Sequence, residues 1–212
     1  VSEGATISQN QAVYASPDVS NNGGAGAVTA VLQASHFTAN SGTDLNNYTL
    51  PTIATGNVGR ITPAPLEITA SIVTKTYDGT VSASGTAVVK SGTLFNGDSL
   101  IGGSFAFTDK NAGTNKTVTV SGVTFGNVSS TGNYALTYTD NTSSTITRAN
   151  LTVTANAVTK TYDGTLTASG SGAVGTLAGA GDVVNSVGVQ AFLDKNAGTG
   201  KTVRASGVTI KD

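Results

Sequence analysis

Apolar residues in this chain recur at every second position in short runs, and no helix-length segment shows the spacing of an amphipathic helix. Leu66, Ile68 and Ala70 alternate with Glu67, Thr69 and Ser71, and Leu151, Val153 and Ala155 repeat the alternation further along. A period of two sends one set of side chains to a buried face, so both runs are predicted strands. Phe105 with Phe107, Val118 with Val120, and Tyr134, Leu136 and Tyr138 continue the pattern. Ahead of these, Ala27 to Phe37 reads as a strand, Thr38 to Asn47 is a polar run, and Tyr48, Leu50 and Ile53 predict another strand. The opening residues are looser, with Val13 and Tyr14 in a short apolar patch and Asn21-Asn22-Gly23-Gly24 as a turn or disordered tip.

These runs belong to a repeat. Lys75-Thr76-Tyr77-Asp78-Gly79-Thr80 returns as Lys160-Thr161-Tyr162-Asp163-Gly164-Thr165, 85 positions later. Asp109-Lys110-Asn111-Ala112-Gly113-Thr114 returns as Asp194-Lys195-Asn196-Ala197-Gly198-Thr199 with the same offset. Two distant markers with one spacing define a repeated unit of domain size. Asp78-Gly79 and Asp163-Gly164 read as turns in which Asp accepts local N–H groups and Gly takes a positive φ. Asn111 to Gly113 and Asn196 to Gly198 read the same way, with Gly113 and Gly198 expected to relieve a positive φ. The repeated lysines read as solvated strand-edge residues that discourage unwanted pairing.

Short strands joined by polar turns, with no helix to cover them, favour two sheets packed face to face, so the predicted class is all-β with tandem immunoglobulin-like β-sandwich domains. A barrel is an alternative closure. The expected divisions are residues 1–62, a partial or variant domain resembling the back half of a unit; 66–148, a complete sandwich; and 151–212, a sandwich truncated at its C-terminal strand. Pro63 and Pro65 predict a stiff, short connection between the first two. A chain that runs from Val1 to Asp212 in mid-repeat reads as a piece of a longer one.

The Tyr-Asp-Gly motif at Tyr77 and Tyr162 is similar to that of the YDG domain and the related mostly bacterial Ig-like (MBG) domains. The opening from Pro63 to Ala70, the Asp-Lys-Asn-Ala-Gly-Thr turn and the strand at Asn133-Tyr134-Ala135-Leu136 extend the similarity. Such domains recur in large secreted bacterial adhesins and haemagglutinin-like exoproteins. The resemblance implies an extracellular stalk or spacer, secreted or at the cell surface, and no catalytic or ligand residues.

Composition narrows the remaining chemistry. Charged residues make up 11% of the chain and the net charge is -1, so there is no basic field for nucleic acid, and Arg60, Arg148 and Arg204 are dispersed. No stretch is long and apolar enough to span a membrane. Cysteine is absent, and His36, the sole histidine, lies outside the repeated motifs as an ordinary strand or loop residue. No catalytic and no metal-ligating residue is assigned, and no cofactor is expected. Calcium is the alternative if the isolated Asp78, Asp98, Asp109 and Asp140 converge in space. A lysine cross-link to Asn or Asp would need a neighbouring acid, and no glutamate recurs to supply one.

The expected partners are neighbouring domains of the same polypeptide, with cell-surface or matrix glycan or protein bound through distal regions. The rival reading is a carbohydrate or exopolysaccharide-binding module, for which Tyr14, Tyr48 and Tyr138 are the least constrained aromatics.

Overall fold

The computed structural model describes residues 3–19, 26–127 and 131–212, and they form mostly β-structure in several small sheets. The tip expected at Asn21-Asn22-Gly23-Gly24 lies outside the described residues. The chain gathers into two compact units, one of residues 1–68, 89–101 and 124–137, the other of 69–88, 102–123 and 138–212.

The first section holds β1 (Ala5–Ile7), β2 (Val13–Tyr14), β3 (Gly26–Val31), β4 (Phe37–Ala39) and β5 (Ile53–Gly59). β1 pairs with β4, and β3 is the centre of an antiparallel β2-β3-β5 sheet. The run from Ala27 to Phe37 is therefore not one strand. A 3-10 turn at Ala34–His36 interrupts it, because His36 N–H donates to the Gln33 carbonyl at 2.9 Å while Gln33 N–H donates to His36 Nδ1 at 3.1 Å. A second 3-10 turn, Leu45–Asn47, is capped by Asp44, whose carboxylate accepts the Asn46 N–H at 3.0 Å, so Tyr48 ends a turn and the next strand starts at Ile53. Local side-chain bonds have outcompeted the ladder at both places.

Then come β6 (Ala64–Ala70), β7 (Thr74–Thr76), β8 (Ala87–Ser91), β9 (Ser99–Phe107), β10 (Gly113–Gly126), β11 (Tyr134–Thr139) and β12 (Asn141–Thr147). They form a three-stranded sheet, β11-β6-β8, and a four-stranded sheet, β7-β12-β10-β9. Ala64 and Pro65 already belong to β6, so the segment expected as a linker is a strand start, where proline's missing N–H is tolerated. Along β6, Leu66, Ile68 and Ala70 are 1%, 0% and 1% accessible, while Glu67 and Thr69 are half-buried.

In the four-stranded sheet Phe107, Val118, Val120 and Ile146 are buried. Ser144 is buried among them without being orphaned, since its hydroxyl accepts the Val73 N–H at 3.0 Å and donates to Asn141 at 3.1 Å. β7 runs parallel to β12, which sets Lys75 opposite Ile146.

The last section contains β13 (Val153–Thr154), β14 (Thr167–Ala168), β15 (Ala173–Val174), β16 (Val183–Phe192) and β17 (Val203–Lys211), in the sheets β13-β15 and β14-β16-β17. Here the predicted burial fails. Val153, 85 positions after Ile68, is 38% exposed, and Leu151 and Ala155 are half-buried. Among the described residues β6 has a neighbour on each side, whereas β13 has only β15, and residues 151–212 hold no counterpart of the Asn133-Tyr134 strand to flank it. The buried residues of this section include Gln190, which accepts the Asn156 N–H and donates to Ser169 O, tying three segments together with polar groups. Among the described residues, no helix is long and apolar enough to cross a membrane.

Candidate functional site

The repeated hexapeptide folds into the same closed arrangement twice. Lys75 Nζ donates to Asp78 Oδ1 at 2.8 Å, to Thr80 O at 2.7 Å and to Thr80 Oγ1 at 3.1 Å. Lys160 Nζ does the same to Asp163 Oδ1 at 2.7 Å, Thr165 O at 2.8 Å and Thr165 Oγ1 at 3.1 Å. Each aspartate oxygen also accepts the N–H and the hydroxyl of its threonine, all at 2.9 Å. Gly79 and Gly164 both carry φ of +74°, the left-handed value that lets the chain turn back under the lysine.

The lysines are not on a solvated edge. Their side chains are only 15% and 22% accessible, and each ammonium lies over a ring, Lys75 at 5.6 Å from the centre of Phe107 and Lys160 at 5.7 Å from that of Phe192. All three ammonium protons are used and the aliphatic stem is covered, which turns a sequence-level surface charge into a clamp. The lysine and the threonine groups hold the Asp78 and Asp163 carboxyls down to about 2. Lys75 lies in a paired strand and Lys160 in a segment that pairs with no strand among the described residues, yet corresponding distances agree to 0.1 Å. The clamp is made by its own six residues and one ring.

The second marker is a smaller version of the same idea. Asp109 accepts the Asn111 N–H at 2.9 Å and pairs with Lys116; Asp194 accepts the Asn196 N–H at 3.0 Å and pairs with Lys201. Its positive φ does not fall on Gly113 or Gly198. It falls two residues later, on Asn115 at 54° and Gly200 at 66°. With the aspartate already closing the turn, the left-handed residue falls at the start of β10 in the first copy and just ahead of β17 in the second, and Asn and Gly are the two residues at which it costs least.

Tyr77 and Tyr162 differ. The Tyr77 hydroxyl lies 2.8 Å from Asp182 Oδ1 and 3.1 Å from Asp212 Oδ1, and Asp212 also pairs with Lys110. Loss of solvent, and then the two carboxylates, push this phenol well above the usual tyrosine range. A cavity of 310 Å³ beside it is lined by Asn111, Ala112, Arg148 and Leu177 among others. Tyr162 is 61% exposed, and among the described residues its hydroxyl has no hydrogen-bond partner. It borders a cavity of 450 Å³ with Lys160, Phe192, Asp194 and Lys201.

The remaining candidates are dispersed or satisfied. Among the described residues, no three His, Asp or Glu side chains gather as a metal site would require, and the acids considered for calcium are not brought together. Asp98 accepts the Tyr134 hydroxyl at 2.6 Å instead. His36 is held by Gln33, and the nearby Ser8 hydroxyl is turned to the His36 carbonyl rather than its ring. Tyr14 donates to Arg60 O and Tyr48 to Glu3, while the Tyr138 oxygen accepts the Val123 N–H.

The family model of the YDG domain matches residues 62–143 and, a second time, residues 147–212. The chain belongs to the YDG domain family. Comparison with curated proteins and with solved structures gave no match. Each YDG copy carries the lysine clamp and the aspartate turn within its matched residues. The parts that sequence reading did not connect to the motifs are Phe107, read there only as a strand position, with Phe192, Lys116 and Lys201, and Asp182. The first four recur with the offset of 85, and that recurrence is the signal that could have found them. Asp182 has a counterpart in Asp98, but at an offset of 84 rather than 85, and its contact with Tyr77 joins two copies.

Proposed function

We propose that this chain is a stalk or spacer segment of a bacterial surface or secreted adhesin, built from tandem immunoglobulin-like YDG sandwiches and supporting cell or matrix adhesion from outside the cell. The observation that carries the reading is where the repeated polar groups go. Lys75, Asp78 and Thr80 satisfy one another, as do Lys160, Asp163 and Thr165, so the lysine, aspartate and second threonine of the most strongly repeated motif spend their donors and acceptors on holding the backbone. A repeated catalytic or ligand site would instead leave such groups converging on open space. The sandwich reading is supported by the alternating burial of β6 and by the buried positions of the four-stranded sheet.

A spacer holds its partners through other parts of its polypeptide, and its own contacts are with neighbouring domains. It has no use for a cofactor or for catalysis. Small-angle scattering and single-molecule pulling test this on the whole chain. An extended particle that unfolds in discrete steps supports the spacer, and a compact particle without stepwise extension refutes it. A second reading, a module that binds carbohydrate or exopolysaccharide, is favoured by the open cavity beside the exposed Tyr162. Saturable retention on a glycan array, abolished by Tyr162→Ala, would move the assignment to that class.

A further inference from the structure

We infer that the motif tyrosine is a docking group between successive YDG copies, and that the face around Tyr162 receives the acidic turn of a further copy. The inference rests on the spacer reading and adds the contact that would join one module to the next. Within the unit that holds them, Tyr77 and Lys110 of the first copy both reach carboxylates of the second, Asp182 and Asp212. Asp182 is presented by a tight turn: its N–H donates to Gly179 O at 3.1 Å and its Oδ2 accepts the Gly179 N–H at 3.2 Å, which leaves Oδ1 for the phenol. The turn comes so close that a Cβ on Gly79 would stand 2.5 Å from Gly179 Cα. Glycine at both positions makes that approach possible.

The docking face recurs intact. Tyr162, Lys195, Asn196 and Ala197 stand 85 positions after Tyr77, Lys110, Asn111 and Ala112, on a clamp and a turn with the same local hydrogen bonds. Tyr77 is half-buried by its acidic partner, whereas Tyr162 and Lys195 are exposed. An exposed phenol and ammonium match a carboxylate-bearing turn in charge and in hydrogen bonding.

The acidic turn recurs too. In the first copy Asp98 N–H donates to Phe95 O at 2.9 Å, and Asp98 Oδ2 takes the Tyr134 hydroxyl, so Oδ1 is left as it is in Asp182. Each copy thus has one tyrosine face and one acidic turn.

The test uses spin labels on cysteines introduced singly into each copy, in a chain that has no cysteine of its own. In the whole chain, Tyr77→Phe and Asp182→Asn should each broaden the distance distribution between the first and second copies. Loss of a hydrogen bond to a charged group should raise the undocked fraction roughly tenfold. Tyr162→Phe should leave this distribution unchanged.

The chain is then extended past Asp212 by a second set of residues 128–212, which continues the repeat in register because Asp212 holds the position of Asn127. There Tyr162→Phe should broaden the distribution between the second and third copies. An unchanged distribution in Tyr77→Phe, or in Tyr162→Phe of the extended chain, overturns the inference, as does a glycan bound at Tyr162 of the original chain. Failure of docking with an extended scattering profile leaves the spacer standing; a compact profile in every variant removes the spacer itself.

Discussion

Ile68 and Val153 hold the same place in the two YDG copies and differ by one methylene, yet their surroundings are unlike, which makes them a direct test of what holds each copy together. Ile68 is 0% accessible and Val153 38%. Ile68→Ala removes three buried carbons at about 0.8 kcal/mol each, about 2.4 kcal/mol of transfer free energy. The cavity they leave adds roughly another 1 to 2 kcal/mol, for a total near the middle of the range for such truncations. Val153→Ala removes two carbons from a site already more than a third wet, with water free to fill the space, so its cost is about 1 kcal/mol. Urea titration followed by amide resonances of β9 and β10 on one side, and of β16 and β17 on the other, reads the two copies separately. The expected result is a large fall in midpoint for the first copy in Ile68→Ala and a small one for the second in Val153→Ala. Equal losses, or a loss below about 1 kcal/mol at Ile68, would refute the claim that β13, paired on one side by β15, carries little of its copy's stability.

Acid should weaken both clamps. The Asp78 and Asp163 carboxyls are lowered from 3.8 to about 2 in the folded chain, so their contribution is complete above about pH 4 and fades as pH falls toward 2. Thermal melts by circular dichroism between pH 5 and 2 should show this loss in the parent and less of it in a Lys75→Met, Lys160→Met double variant; identical pH profiles would count against the clamp. Gly164→Ala should cost about 1 to 2 kcal/mol from the left-handed backbone alone. Gly79→Ala should lower the melting temperature further, since its Cβ would also collide with Gly179, and the reverse order would contradict the described contact. Ser144→Ala should destabilise by about 1 to 3 kcal/mol by stranding the buried Val73 N–H, with faster hydrogen exchange at Val73 as the specific readout.

What the sequence could reveal follows from the range of the forces involved. The alternation at Leu66, Ile68 and Ala70 was legible because a buried face imposes a period of two on the strand itself. The same alternation at Leu151, Val153 and Ala155 misled, because β6 is flanked on both sides and β13 on one, and no pattern within five residues reports the difference. At Ala34–His36 the apolar run concealed a turn fixed by a single Gln-His pair. The Asp-Gly turns were readable from residue types, whereas the left-handed position in the second marker shifted to Asn115 and Gly200 once the aspartate had closed the turn. For the lysines, residue type alone spoke for solvent. Only the ring that arrives from β9 or β16 encloses them, at a separation of 32 residues in both copies.

Because the lysine clamp is complete within one copy, duplicating the gene segment for that copy also duplicates its fastening. Insertion or loss of a module by recombination would leave every other clamp untouched, with no compensating substitution required elsewhere. A lineage could therefore lengthen or shorten such a protein in whole steps, with reach adjusted by number of modules rather than by redesign of any of them.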